Sequence, residues 1–205
     1  MSAARGVAAL AVALALVAAA APAAEVELGL LAGAQQTGGV SSFEGSIDLQ
    51  GGPLYGVAVG WRVRPDGIVE VAWTRQDSEA TGELFDTGAV RFDVTIDTLE
   101  VGGLWETRPG RMRPFLGLAV GVTRLAGPDQ EFGEGWYFSG SIGGGIRYEL
   151  SEHALLRLEA RTTGILVADG GGLGCGFNGG AVCQVGLSGS VLGAISARVG
   201  ISARF

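Results

Sequence analysis

From Glu25 onward the chain repeats one pattern: segments of about ten residues in which apolar positions alternate with polar or glycine positions, separated by turn-forming clusters. A period of two places alternate side chains on opposite faces of an extended strand, so each segment carries one apolar and one polar face. Nothing after Ala24 supplies the roughly 20 apolar residues that a membrane-spanning helix needs. A chain built this way folds through strand pairing.

Eight such strands are expected. Glu25 to Ala34 sets Leu28, Leu30, Ala32 and Ala34 against Glu27, Gly29, Leu31 and Gly33. Leu54 to Arg64 sets Tyr55, Val57, Val59, Trp61 and Val63 against Gly56, Ala58, Gly60, Arg62 and Arg64, and Pro65-Asp66-Gly67 makes the next turn. Ile68 to Gln76 opposes Val69, Val71 and Trp73 to Glu70, Ala72 and Thr74. In Phe92 to Glu106, Leu99, Val101 and Trp105 oppose Glu100, Gly102 and Glu106. The upper Phe92, Val94 and Ile96 have the other parity, which predicts a bulge near Asp97. Pro114 to Arg124, Trp136 to Leu150, Leu155 to Thr163 and Ser188 to Phe205 complete the set, the last with Ile195, Ala197, Val199, Ile201, Ala203 and Phe205 on one face.

The connections alternate as well. Arg64 to Ile68, Thr107 to Arg113 and Ser151 to Ala154 are short, whereas 37–53, 78–91, 125–135 and 168–187 are long. An even strand number with alternating loop lengths predicts an all-β fold: an eight-stranded antiparallel up-and-down transmembrane β-barrel, closed so that no strand edge is left unpaired in lipid. A soluble lipocalin-like barrel would turn the same alternation inside out. Aromatics near strand ends, Tyr55, Trp61, Trp73, Trp105, Tyr148 and Phe205, favour the membrane form because they make interfacial girdles.

The first residues read differently. Arg5 precedes an apolar run from Val7 to Ala21, which ends at Ala21-Pro22-Ala23, the order of a secretory signal peptide cleaved after Ala23. Residues 1–23 are therefore expected to be a signal peptide and 24–205 one barrel domain; a buried core helix is the alternative. No Cys near the cleavage site and no Arg pair before the run leave general secretion as the expected route. A net charge of -7 with scattered basic residues argues against a nucleic-acid partner.

The polar face carries charges of both signs. Glu27, Glu70, Glu100, Glu149 and Glu159 share it with Arg62, Arg147, Arg157, Arg161 and Arg198, five of each, so an enclosed lumen could pair them as a charge network. A solvated outer face is the alternative.

Taken together, the terminal Val199, Ile201, Ala203 and Phe205, the run Arg113-Pro114-Phe115-Leu116-Gly117-Leu118-Ala119-Val120-Gly121 and Leu155 to Arg161 resemble the OmpA/OmpX-type outer-membrane β-barrel domain family, over nearly all of 24–205. The resemblance implies a Gram-negative outer-membrane location among lipid and lipopolysaccharide. It also implies that the barrel-assembly machinery reads Val199, Ile201, Ala203 and Phe205 as an assembly signal.

Chemistry-bearing residues are few. Cys175 and Cys183, in the glycine-rich last long loop, are expected to form a disulfide after export to an oxidising compartment; free thiols or a metal site are the alternatives. His153, the one histidine, lies beside Ser151 and Glu152 in a short turn, where no water-excluding catalytic site can be built. Gly143-Gly144-Gly145 and Gly170-Gly171-Gly172 lack the helix and the Lys of a phosphate loop. Glu44, Asp48, Asp77, Glu79, Glu83, Asp86, Asp129, Glu131 and Glu134 make the outer loops acidic, either to bind divalent cations or to stay solvated. The reading is a non-enzyme without cofactor or metal, displaying its outer loops on a rigid barrel; a small pore or transporter of minor solutes is the alternative.

Overall fold

The computed structural model describes residues 25–42, 45–84, 88–107, 110–127, 134–167 and 190–205, with four two-residue pieces between 172 and 186. Eight long strands carry the fold: β1 (Glu25–Thr37), β2 (Gly52–Arg64), β3 (Gly67–Leu84), β4 (Gly88–Glu106), β5 (Met112–Ala126), β6 (Glu134–Ser151), β7 (Ala154–Val167) and β8 (Ser190–Arg204). Each pairs antiparallel with its sequence neighbours, and β8 pairs with β1, so the sheet closes on itself. The signal-peptide expectation for 1–23 lies outside the described residues.

The register gives the shape. A row of paired residues runs from Arg62 through Ile68, Leu104, Gly117, Gly143, Arg161, Ser196 and Gln35, and returns to β2 at Gly52, ten residues from its start. Eight strands with that stagger tilt about 40° from the barrel axis, and the interior is only wide enough for side chains to fill. Each step along such a row climbs about 3 Å toward the long loops.

Burial alternates along every strand, with Glu27, Glu70, Arg147, Arg157 and Arg198 inside, and Leu30, Leu118, Ile142, Leu158 and Ile201 exposed outside. Charged inside and apolar outside is stable only where lipid surrounds the wall.

Two expectations change at the loop end. First, strands extend into the expected long loops: β3 reaches Leu84 and pairs with β4 from Gly88 onward. A hairpin of Gly39–Ser42 and Gly45–Leu49 occupies part of the first long loop and adds to β3 at Ala80–Leu84. Second, there is no bulge at Asp97. It pairs in unbroken register with Arg75 on one side and Arg124 on the other.

The shift in parity is real, but it is a change of solvent. Val94 and Ile96 point inward like Glu100 and Leu104, and pack with Leu49, Ala80, Leu125, Tyr137, Ile165 and Leu192 into an apolar cluster. Asp97 points outward beside Arg75 and Arg124, at 3.8 and 3.4 Å. Beyond the lipid the outer surface meets water, so the apolar side chains move to the interior without any slip in register. The irregularities in pairing lie at the short turns, between Arg62 and Arg64 and between Glu149 and Ser151.

Candidate functional site

The described interior is layered from the short-turn end to the loop end. At the turn end four Glu and four Arg form a collar. Strand pairing brings them together: Glu25 lies opposite Arg62, and Glu27 opposite Arg204. Glu106, whose side chain has no exposure, is at the centre. It takes Arg62 Nη1 at 2.5 Å, Arg147 Nη1 at 2.7 Å and Arg113 Nη1 at 3.5 Å. Arg62 also reaches Glu27 at 3.1 Å and Glu25 at 3.3 Å. Arg147 contacts Glu27, and Arg204 contacts Glu25. Glu149 joins Arg113 at 2.7 Å to Arg204 at 3.2 Å. Charges this buried are tolerable because each has several partners.

Above the collar, Ile68, Leu104 and Phe115 form an apolar layer. The Arg157 guanidinium stacks over Phe115 at 4.9 Å and reaches upward into a second ionic layer. There Arg157 holds Glu70 at 2.5 Å and Glu159 at 2.9 Å. Arg161 holds Glu159 at 2.7 Å and Glu100 at 3.1 Å. Arg198 differs: its Nε donates to Ser196 Oγ at 3.0 Å, and no carboxylate among the described residues lies within ion-pair distance of it.

Next comes an uncharged polar layer. Gln35 Nε2 donates to Gln76 Oε1 at 2.6 Å, Gln76 Nε2 donates to the Gln35 carbonyl at 3.2 Å, and the Thr98 and Thr123 hydroxyls meet at 3.1 Å. The apolar cluster of Val94, Ile96, Leu125, Tyr137, Ile165 and Leu192 lies above it.

All ten charges expected on the polar face thus point into the lumen, divided between two levels. Glu27, Arg62, Arg147 and Glu149 belong to the collar; Glu70, Glu100, Arg157, Glu159, Arg161 and Arg198 belong to the second layer. Sequence reasoning left Glu25, Glu106, Arg113 and Arg204 out of the network. Glu106 could have been found, since it continues the parity of Glu100; Arg113 was assigned to a turn, and only the β5–β6 pairing shows it beside Arg147. Gln35 and Gln76 gave no charge signal.

Val199, Ile201, Ala203 and Phe205 all face outward. The regular strand ends at Arg204, one residue before the expected end, yet Phe205 N donates to the Val26 carbonyl at 2.9 Å and its carbonyl accepts from Val26 N at 3.2 Å. His153 is exposed in the turn between β6 and β7. Cys175 and Cys183 lie outside the described residues; Leu173 with Val185 and Gly176 with Val182 are described pairs on either side of them.

The chain is similar to the neisserial surface protein A NspA (TM-score 0.57, 14% identity, covering 88% of this chain and 97% of that one). It is similar to the outer membrane protein OprG of Pseudomonas aeruginosa (TM-score 0.60, 11% identity, 89% and 96%). The fold is that of the small outer-membrane β-barrels. This is the OmpA/OmpX-type architecture the sequence resembles. The outer membrane protease OmpT of Escherichia coli also shares the barrel form (TM-score 0.53, 8% identity, 90% and 97%). No protein-family model matches the chain, and no curated protein matches it. Identities this low speak for the fold and leave activity to the site itself.

Proposed function

We propose that this chain is an outer-membrane protein with a structural or surface-interaction role, a closed barrel that holds its long loops at the cell surface. The observation that carries this reading is the filled lumen. An ionic collar closes the turn end around Glu106, and an apolar cluster around Leu125 and Leu192 fills the loop end. A solute crossing the barrel would have to break paired charges and then dewet through apolar side chains.

A small pore is the second reading, and the polar layers between the two closures favour it to that extent. In planar bilayers the purified protein is expected to give no stable conductance; steady single-channel currents would overturn the display reading. Membrane fractionation with heat-dependent gel migration tests location, and recovery as a soluble periplasmic protein would refute it. One structural neighbour, OmpT, is a protease, which raises enzymatic activity as a third reading. Against it, the one histidine of the chain is at the turn end, away from the long loops.

The same reading has residues 1–23 removed on export by general secretion, lipid and lipopolysaccharide around the wall, and Val199, Ile201, Ala203 and Phe205 recognised during assembly. It also has Cys175 and Cys183 joined, their two thiols losing two protons and two electrons to an extracytoplasmic disulfide donor. The paired pieces flanking them support that pairing. N-terminal sequencing is expected to begin at Ala24, and full alkylation of both thiols without reductant would refute the disulfide.

A further inference from the structure

Glu100, inside the second ionic layer, is incompletely bonded. Its side chain is 3% exposed, its Oε2 takes Arg161 Nη1 at 3.1 Å, and its Oε1 is enclosed without a hydrogen-bond partner. A buried carboxylate oxygen left bare carries the full cost of its lost hydration. Beside it the wall is lined by small residues, Ala72, Gly102 and Ala119, and a cavity opens between Glu70, Glu100 and Arg161.

We propose that this cavity is an internal water site, with Glu100 Oε1, Glu70 and Arg161 as its ligands. A buried water needs two to four polar partners and about one water's volume. The chemistry of the partners matches. Arg161 has five N–H groups. Nε and one on Nη2 go to Glu159, and the two on Nη1 go to Glu100 and Ser141, which leaves one Nη2 hydrogen to donate. A water accepting that hydrogen has two of its own, one for Glu100 Oε1 and one for Glu70. It would lie between two carboxylates and lessen their repulsion.

A neutral occupant is favoured over a cation by the charges already present. Glu70 is bound by Arg157 and Glu100 by Arg161, so a cation would add an uncompensated charge. Arg198, at the same level, makes no ion pair with a carboxylate among the described residues and donates through Nε to Ser196. This layer therefore retains solvent. The site does not depend on whether the barrel conducts, so its failure would leave the proposed function standing.

The test is crystallographic and energetic. In crystals grown with rubidium in place of sodium, a peak is expected within hydrogen-bonding distance of Glu100 Oε1, Glu70 and Arg161, with no anomalous signal. An empty cavity, or a rubidium signal there, overturns the proposal. Ala119→Val, which fills the cavity, is expected to lower the folding equilibrium constant at least tenfold in the wild-type background and distinctly less beside Glu100→Met, where no bare oxygen remains. Equal loss in both backgrounds overturns it.

Discussion

Glu106 and Glu25 belong to one collar yet differ in what they risk. Glu106 is fully enclosed and shared by Arg62, Arg147 and Arg113, whereas the Glu25 side chain keeps 34% exposure. Removing Glu106 leaves three guanidinium groups short of a counter-charge where water cannot replace it. Glu106→Ala is therefore expected to lose about 3–5 kcal/mol of unfolding free energy in urea titration from lipid bilayers. Glu25→Ala should lose under about 1 kcal/mol in the same titration, because solvent screens its pairs. Equal losses would mean that the collar is hydrated throughout.

Along the strands, glycine answers to curvature. Gly145 on β6 faces the lumen, and a Cβ there would run into the Leu158 carbonyl and come within 2.9 Å of the Glu159 Cα. Backbone cannot move aside in a closed ladder, so even Ala is too large. Gly193 on β8 faces outward with no atom within 4 Å of its would-be Cβ. Gly145→Ala is expected to reduce the fraction of heat-modifiable folded barrel severalfold, and Gly193→Ala to leave it unchanged. Sequence alone shows two glycines in alternating strands. Which of them is indispensable depends on what lies across the ladder.

The wall of the whole barrel is uneven. On β3 the outward apolar stretch runs from Val69 to Trp73 and stops at Arg75, while on β6 it runs from Leu150 to Trp136. Because rows climb around the barrel, Trp136 stands about 10 Å nearer the loops than Arg75. From Phe138, just beneath it, a paired and exposed row climbs through Leu166 to Val191. Leu166 and Asp77 lie at nearly the same height on opposite walls. In a cysteine-free background, a spin label at Leu166→Cys is expected to collide with lipid-soluble oxygen, and one at Asp77→Cys with a water-soluble nickel chelate. The same accessibility at both would mean a level membrane boundary.

The period of two, the turn clusters and the alternating loop lengths determined strand number, direction and closure, because a strand has only two faces and each must match its surroundings along its length. Where the surroundings change, the pattern by itself misleads. Phe92, Val94 and Ile96 looked like a slipped strand because sequence does not mark where lipid ends and water begins. The charges on the inner face were legible one strand at a time. Their partners were not: Arg147 meets Glu27 across 120 residues of chain. Only the ten-residue stagger of the closed sheet decides which levels coincide, and so where the lumen is paired, where it is apolar and where Glu100 Oε1 is left without a hydrogen bond.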